Sequence, residues 1–186
     1  LDLFINCQDR GNTPGGYPKQ LYRQGPDGHL ADVAATVGLD VPDHQIVDLA
    51  WFDADGDGAI DLFTHEDQGY FLYRNRGGAF QREFVYRGKF ERADVEGLKG
   101  NTSDYWQFDG KLSLADFDSD GDMDVFVASK RRTALPVNEG GAHFRPVPPS
   151  SVGLPDESVA AAWVDFDNDG RIDLHAVPQG LFRQDG

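Results

Sequence analysis

An all-β chain made of repeated four-stranded units, the blades of a β-propeller, is the fold class predicted by three features of the 186 residues. A nine-residue acidic pattern occurs three times, as DADGDGAID from Asp53, DFDSDGDMD from Asp116 and DFDNDGRID from Asp165. The residues after each copy alternate in polarity and are rich in β-branched and aromatic types, which is a strand signal. Aligned on the ninth position of the pattern, repeat starts fall at Leu1, Ile60, Met123 and Ile172. That period suits a propeller blade, whereas an immunoglobulin-like sandwich repeats no such unit.

Within each repeat the elements follow in a fixed order. LDLF, IDLF, MDVF and IDLH open the four copies. A second short element follows in each, as QLYRQ from Gln20, FLYRN from Phe71, ALPVN from Ala134 and GLFRQ from Gly180. Glycine-bearing turns then lead to third strands in GPDGHLADV, RGGAF and EGGAHF. A further strand, QIVDLAWF, GKLSLADF or SVAAAWVDF, precedes each acidic loop. The chain therefore divides into a partial blade over 1–45, a blade with a long loop over 46–110, a blade over 111–157 and a partial blade over 158–186. Closed propellers use roughly 4 to 8 blades, so the expectation is a segment of a larger ring. The rest of that ring, or another copy, would cover the strand edges at its ends.

The acidic pattern reads D-x-D-x-D-G-x-x-D. Carboxylates this dense repel one another unless a cation sits among them, and hard oxygen ligands suit Ca²⁺. An EF-hand begins in the same way but needs a bidentate Glu at position 12 and an exiting helix. Position 12 here is Thr64, Val127 or Ala176, and strands follow. The expected ligands are the side chains at positions 1, 3, 5 and 9 with the carbonyl at position 7. In the first loop these are Asp53, Asp55, Asp57, Asp61 and Ala59; in the second Asp116, Asp118, Asp120, Asp124 and Asp122; in the third Asp165, Asp167, Asp169, Asp173 and Arg171. Gly58, Gly121 and Gly170 stand at position 6, where the chain must turn sharply around an ion. Five protein ligands from one loop, with no spare base beside them, point to a structural metal.

Composition narrows the function classes. The chain carries 32 acidic residues against 17 Lys and Arg, a formal net charge of -15. The three loops hold four, five and four of those acids, so three Ca²⁺ ions would bring the total to about -9. Such a chain has no electrostatic footprint for nucleic acid or an anionic membrane. No apolar run reaches the length of a membrane span, and no signal peptide opens the sequence, so an exported protein would already have lost its leader. Cys7 is the sole cysteine and excludes an intrachain disulfide. The five histidines show no zinc spacing, and the nucleophile-elbow, Walker and GxGxxG motifs are missing.

Two long connections interrupt the period, 6–19 and 85–110, and long loops on rigid scaffolds are where binding sites tend to be built. The second holds Tyr105 and Trp106, aromatic side chains suited to stacking on a sugar or a partner protein, and the sequon-like Asn101-Thr102-Ser103. Trp51 and Trp163 precede their loops by two residues, with Leu114 at the equivalent place, a substitution that predicts packing between blades.

WFDADGDGAIDLF with FLYRNRGGAF, LADFDSDGDMDVF with LPVNEGGAHF, and WVDFDNDGRIDLH with LFRQDG together resemble the FG-GAP/VCBS family of propeller repeats. Such repeats occur in the integrin α-subunit head, in bacterial surface proteins and in proteins similar to cartilage acidic protein. The resemblance covers nearly the whole chain outside the two long loops. It implies Ca²⁺ held between the first two strands of a blade, and a ring of seven blades. The expected function is non-enzymatic recognition or adhesion of a protein or glycan ligand, outside the cell, at its surface or in the periplasm. The alternatives are a lectin-like propeller binding carbohydrate between blades, or an accessory domain of a larger polysaccharide-active enzyme.

Overall fold

A computed structural model describes residues 2–6, 19–41, 46–66, 69–86, 110–130 and 132–184. The expectations placed on Cys7, on Asn101-Thr102-Ser103 and on Tyr105 and Trp106 lie outside these residues. The chain forms two compact units, Leu1–Val85 and Tyr86–Gly186, and is all-β with several antiparallel sheets.

The first unit holds two sheets. Strands β1 (Asp2–Ile5), β2 (Gln20–Gln24) and β3 (Leu30–Asp32) form one, and a single-turn helix α1 (Ala34–Val37) follows it. Strands β4 (Ile46–Phe52), β5 (Asp61–Glu66), β6 (Gly69–Arg76) and β7 (Ala79–Tyr86) form a four-stranded antiparallel meander, the complete repeat expected from the sequence. Every residue of β5 is buried, as expected for a strand covered on both faces. The helix was not anticipated. It forms because one carboxylate oxygen of Asp32 accepts the N–H groups of both Leu21 and Ala34, tying the strand end to the first turn. Gly38 ends it at φ 82°, where an added Cβ would lie 2.5 Å from the Phe80 carbonyl oxygen, so only glycine fits.

The second unit holds β8 (Lys111–Ala115), β9 (Asp124–Ala128), β10 (Leu135–Asn138), β11 (Phe144–Val147), a 3-10 turn over Pro149–Val152, then β12 (Ala160–Val164), β13 (Asp173–Val177) and β14 (Gly180–Phe182). The last three form one sheet. The preceding four are laid out as two pairs, β8 with β9 and β10 with β11, joined by one bridge between Val127 and Ala134. Pro136 on β10 accounts for the thin seam, because it has no N–H to donate.

Each unit has its own core, and in each a tryptophan couples neighbouring sheets. Trp51 on β4 meets Phe4 of β1 edge-on at 5.6 Å between ring centroids, and Phe80 of β7 at 5.8 Å. Trp163 on β12 meets Phe126 of β9 edge-on at 5.9 Å and Phe117 at the same separation. The expectation that these tryptophans pack between sheets agrees with both contacts, and such aromatic pairs add about 0.5–1.5 kcal/mol beyond burial.

Candidate metal centre

Each acidic loop joins the two strands of a hairpin, and the neck closes in the same register three times. Phe52 faces Asp61, Ala115 faces Asp124 and Val164 faces Asp173, so the residue before position 1 always pairs with position 9. Eight residues are thereby held in a tight bight, and its curvature uses left-handed backbone. Position 6 has φ of 86°, 99° and 86° at Gly58, Gly121 and Gly170, in line with the glycine argument from sequence. Position 4 is also left-handed, at Gly56, Ser119 and Asn168. Two of those three are not glycine, so composition concealed that second bend.

The acids first hold the loop's own backbone. At position 1, the two oxygens of Asp53 accept the N–H groups of Gly56 and Gly58 at 2.9 and 2.8 Å. Asp116 accepts those of Asp120 and Gly121, and Asp165 those of Asp169 and Gly170. Position 5 accepts the N–H of position 7 in all three loops, Asp57 from Ala59, Asp120 from Asp122 and Asp169 from Arg171.

Position 9 is a clamp between three segments. Asp61, Asp124 and Asp173 are each at most 1% exposed. One oxygen accepts the N–H of position 2, from Ala54, Phe117 or Phe166. The other accepts an N–H at the end of the strand after next, from Asn75 at 2.7 Å, Asn138 at 2.7 Å or Gln184 at 2.9 Å. Sequence reasoning treated position 9 as a ligand and missed its second role. The amide residue ending FLYRN, ALPVN and GLFRQ marked the partner, although the backbone N–H makes the bond.

Three carboxylates in each loop bring ligand oxygens within 4.8 Å of one another: Asp53, Asp55 and Asp57; Asp116, Asp118 and Asp124; Asp165, Asp167 and Asp173. Asp61, Asp120 and Asp169 stand outside these sets. The donor sets are all hard oxygen, and each hydrogen-bonded carboxylate oxygen keeps a lone pair for a cation. In the third loop Oδ1 of Asp167 is buried without a hydrogen-bond partner, an acceptor that a cation would satisfy. The residues present therefore fit a bound metal ion.

Arginines separate the loops electrostatically, and the sequence reading had not placed them there. Arg74, at the end of β6, donates to Asp55 at 2.7 Å and to Glu83 at 3.2 Å, while Arg76 lies 3.3 Å from Asp55 and 3.5 Å from Asp57. Burial opposes ionisation of Asp55, yet the hydrogen bond and charge of Arg74 outweigh it and hold the carboxyl below its ordinary value. In the third loop Arg183 meets Asp167 at 2.9 Å, and Arg171 meets Asp169. Val137 occupies the Arg74 position in the second repeat, and among the described residues no ion pair reaches Asp116–Asp124. Burial, followed by the charge of Asp120, pushes Asp118 up. Asp124 is pushed up to about 6, chiefly by burial, against the two N–H groups that favour its charged form.

Residues 116–176, from the second loop into β13, match the family model of the FG-GAP-like repeat. That segment carries an FG-GAP-like repeat. No curated protein matches the sequence. Among solved structures, the chain is similar to an Agrocybe aegerita lectin described as specifically recognising non-reducing terminal N-acetylglucosamine, with a TM-score of 0.51 and 19% identity. The match takes in 93% of this chain but only 46% of the lectin, so the chain spans less than half the length of that neighbour. At this identity the likeness is one of fold. No helix among the described residues is long and apolar enough to cross a membrane.

Proposed function

We propose that this chain is a calcium-stabilised segment of a β-propeller that serves as a non-enzymatic recognition module outside the cell, at its surface or in the periplasm. The observation that carries the reading is the threefold loop geometry, with three carboxylates converging in each hairpin bight and hard oxygen as the only donor type. Calcium is the cation proposed because flexible, many-oxygen sites without nitrogen or sulfur suit it better than zinc. The sheets are read as blades, with the pairs β8–β9 and β10–β11 taken together as one. Metal ions locked into hairpin necks brace the blades and leave the faces and clefts to meet a protein or glycan ligand.

A lectin-like function is the second reading. It is favoured by the fold neighbour that recognises a terminal amino sugar and by a cleft lined with aromatic residues in the first unit. The test of the first reading is calorimetric titration of the chelator-treated chain with Ca²⁺. Saturable binding that is lost on joint substitution of Asp53, Asp116 and Asp165 is the expected outcome. An isotherm indistinguishable from buffer would refute the calcium assignment, and turnover of a glycan by this chain would refute the non-enzymatic one.

A further inference from the structure

We infer that the cleft between the first two sheets of the Leu1–Val85 unit binds the ring of a neutral sugar; this rests on the recognition-module reading and names a ligand class and a site for it. The cavity measures about 300 Å³, at the lower end of the range typical of small-ligand sites. One side is β1 and β2, contributing Asp2, Phe4 and Arg23; the other is the meander, contributing Trp51, Ile60 and Phe80.

The lining combines two chemistries. Phe4, Trp51 and Phe80 are in mutual edge contact through Trp51. All three remain only partly buried, whereas Phe63 and Tyr73 of the same meander are fully buried. Packed against the core on one side, they offer a rigid apolar surface on the other at low entropic cost. On the same sheet as Phe4, the cross-strand pair Asp2 and Arg23 lies 3.8 Å apart with side chains 49% and 50% exposed. That is too long for a firm hydrogen bond, and it sets an acceptor-only group beside a donor-only group within reach of a ligand.

A hydroxyl donates and accepts at once, so adjacent sugar hydroxyls can satisfy Asp2 and Arg23 together while the C–H face of the ring lies against the aromatics. Other ligand classes fit worse. An anion meets Asp2, and a cation meets Arg23. A wholly apolar side chain would take the ion pair out of water without replacing its hydrogen bonds.

The test is saturation-transfer NMR on the whole chain with the methyl glycosides of glucose, galactose, mannose and N-acetylglucosamine. A parallel arm presents the same sugars as terminal residues of immobilised oligosaccharides and separates a glycan end from a free sugar. At least one glycoside is expected to saturate the site, and Asp2→Asn and Arg23→Ala are each expected to weaken it about tenfold or more, as loss of a charged hydrogen-bond partner does. Both positions are exposed, so the variants keep the fold, and their thermal midpoints with and without Ca²⁺ verify this in the same samples. No saturable binding of any of the four glycosides, or binding unchanged in both variants, overturns the inference. A calcium-dependent midpoint that persists in those samples leaves the scaffold reading standing apart from it.

Discussion

At the residue scale, the acids of one loop do two different jobs, and substitution separates them. Asp124 is 1% exposed and satisfies two backbone N–H groups from distant segments. Asp124→Ala orphans both, at a cost of about 1–3 kcal/mol for each. Asp118 lies on the open side of its loop, where partial desolvation and then the charge of Asp120 raise it, so its removal relieves repulsion when no cation is present. Thermal melts in chelator are expected to show Asp124→Ala well below the parent and Asp118→Ala at or above it. In Ca²⁺ both variants fall below the parent. The titration of Asp124 has a definite sign. Its folded value, about 6, exceeds the ordinary 3.8, so the folded state binds the proton more tightly between those values. In chelator, stability is therefore greatest below pH 4 on this account and declines as pH rises to about 6. Parent and Asp124→Asn melted side by side isolate this contribution, and an identical pH dependence of the two across that window would contradict the raised value.

At the element scale, the fully buried strand β5 ends on a charge. Glu66 is 1% exposed, and its carboxylate accepts the hydroxyls of Thr64 and Tyr73 at 2.9 and 2.8 Å and a guanidinium N–H of Arg82 at 2.6 Å. Arg82 also lies over the Phe71 ring, 3.5 Å from its centroid, so β5, β6 and β7 are stitched by one polar network within an apolar face. Burial, followed by the adjacent Glu66 charge, drives the Tyr73 hydroxyl far above its ordinary pKa and keeps it a donor. Tyr73→Phe removes one bond to a charged acceptor and is expected to cost about 1.5–3 kcal/mol in chemical denaturation. Glu66→Ala should cost more, because it strands the Tyr73 hydroxyl and the Arg82 guanidinium together. The arginines set a second contrast between elements. With Arg74 and Arg76 on the first loop, Arg171 and Arg183 on the third and no ion pair among the described residues on the second, Asp116–Asp124 is expected to bind Ca²⁺ most tightly. Titrations of variants that retain one intact loop would read that order directly.

At the scale of the whole molecule, a net charge of -15 works against compactness, and bound cations are the natural counterweight. A hundredfold excess of Ca²⁺ over the dissociation constant is expected to add about 2.7 kcal/mol per site. Scanning calorimetry should therefore record a midpoint that rises with Ca²⁺ and falls back in chelator. Sodium chloride at equal ionic strength should reproduce only the part due to screening. A midpoint indifferent to Ca²⁺ would remove the metal from the account of stability.

The strands, their order and the loop hairpins could be read from the chain because each rests on local patterning. Alternation, an Asp every second residue and a glycine at a bend act over a few positions. Even so, ALPVN foretold a strand without foretelling the thin seam beside Pro136, and GPDGHLADV gave no warning of α1 directly after it. What lay beyond reading were the partners chosen across distance. Arg74 reaches Asp55 over 19 positions, Asp124 holds Asn138 over 14, and Asp2, Arg23 and Trp51 come to one cleft from different sheets. Such pairings follow from how sheets stack and which groups burial deprives of water, and no spacing along the chain encodes that geometry.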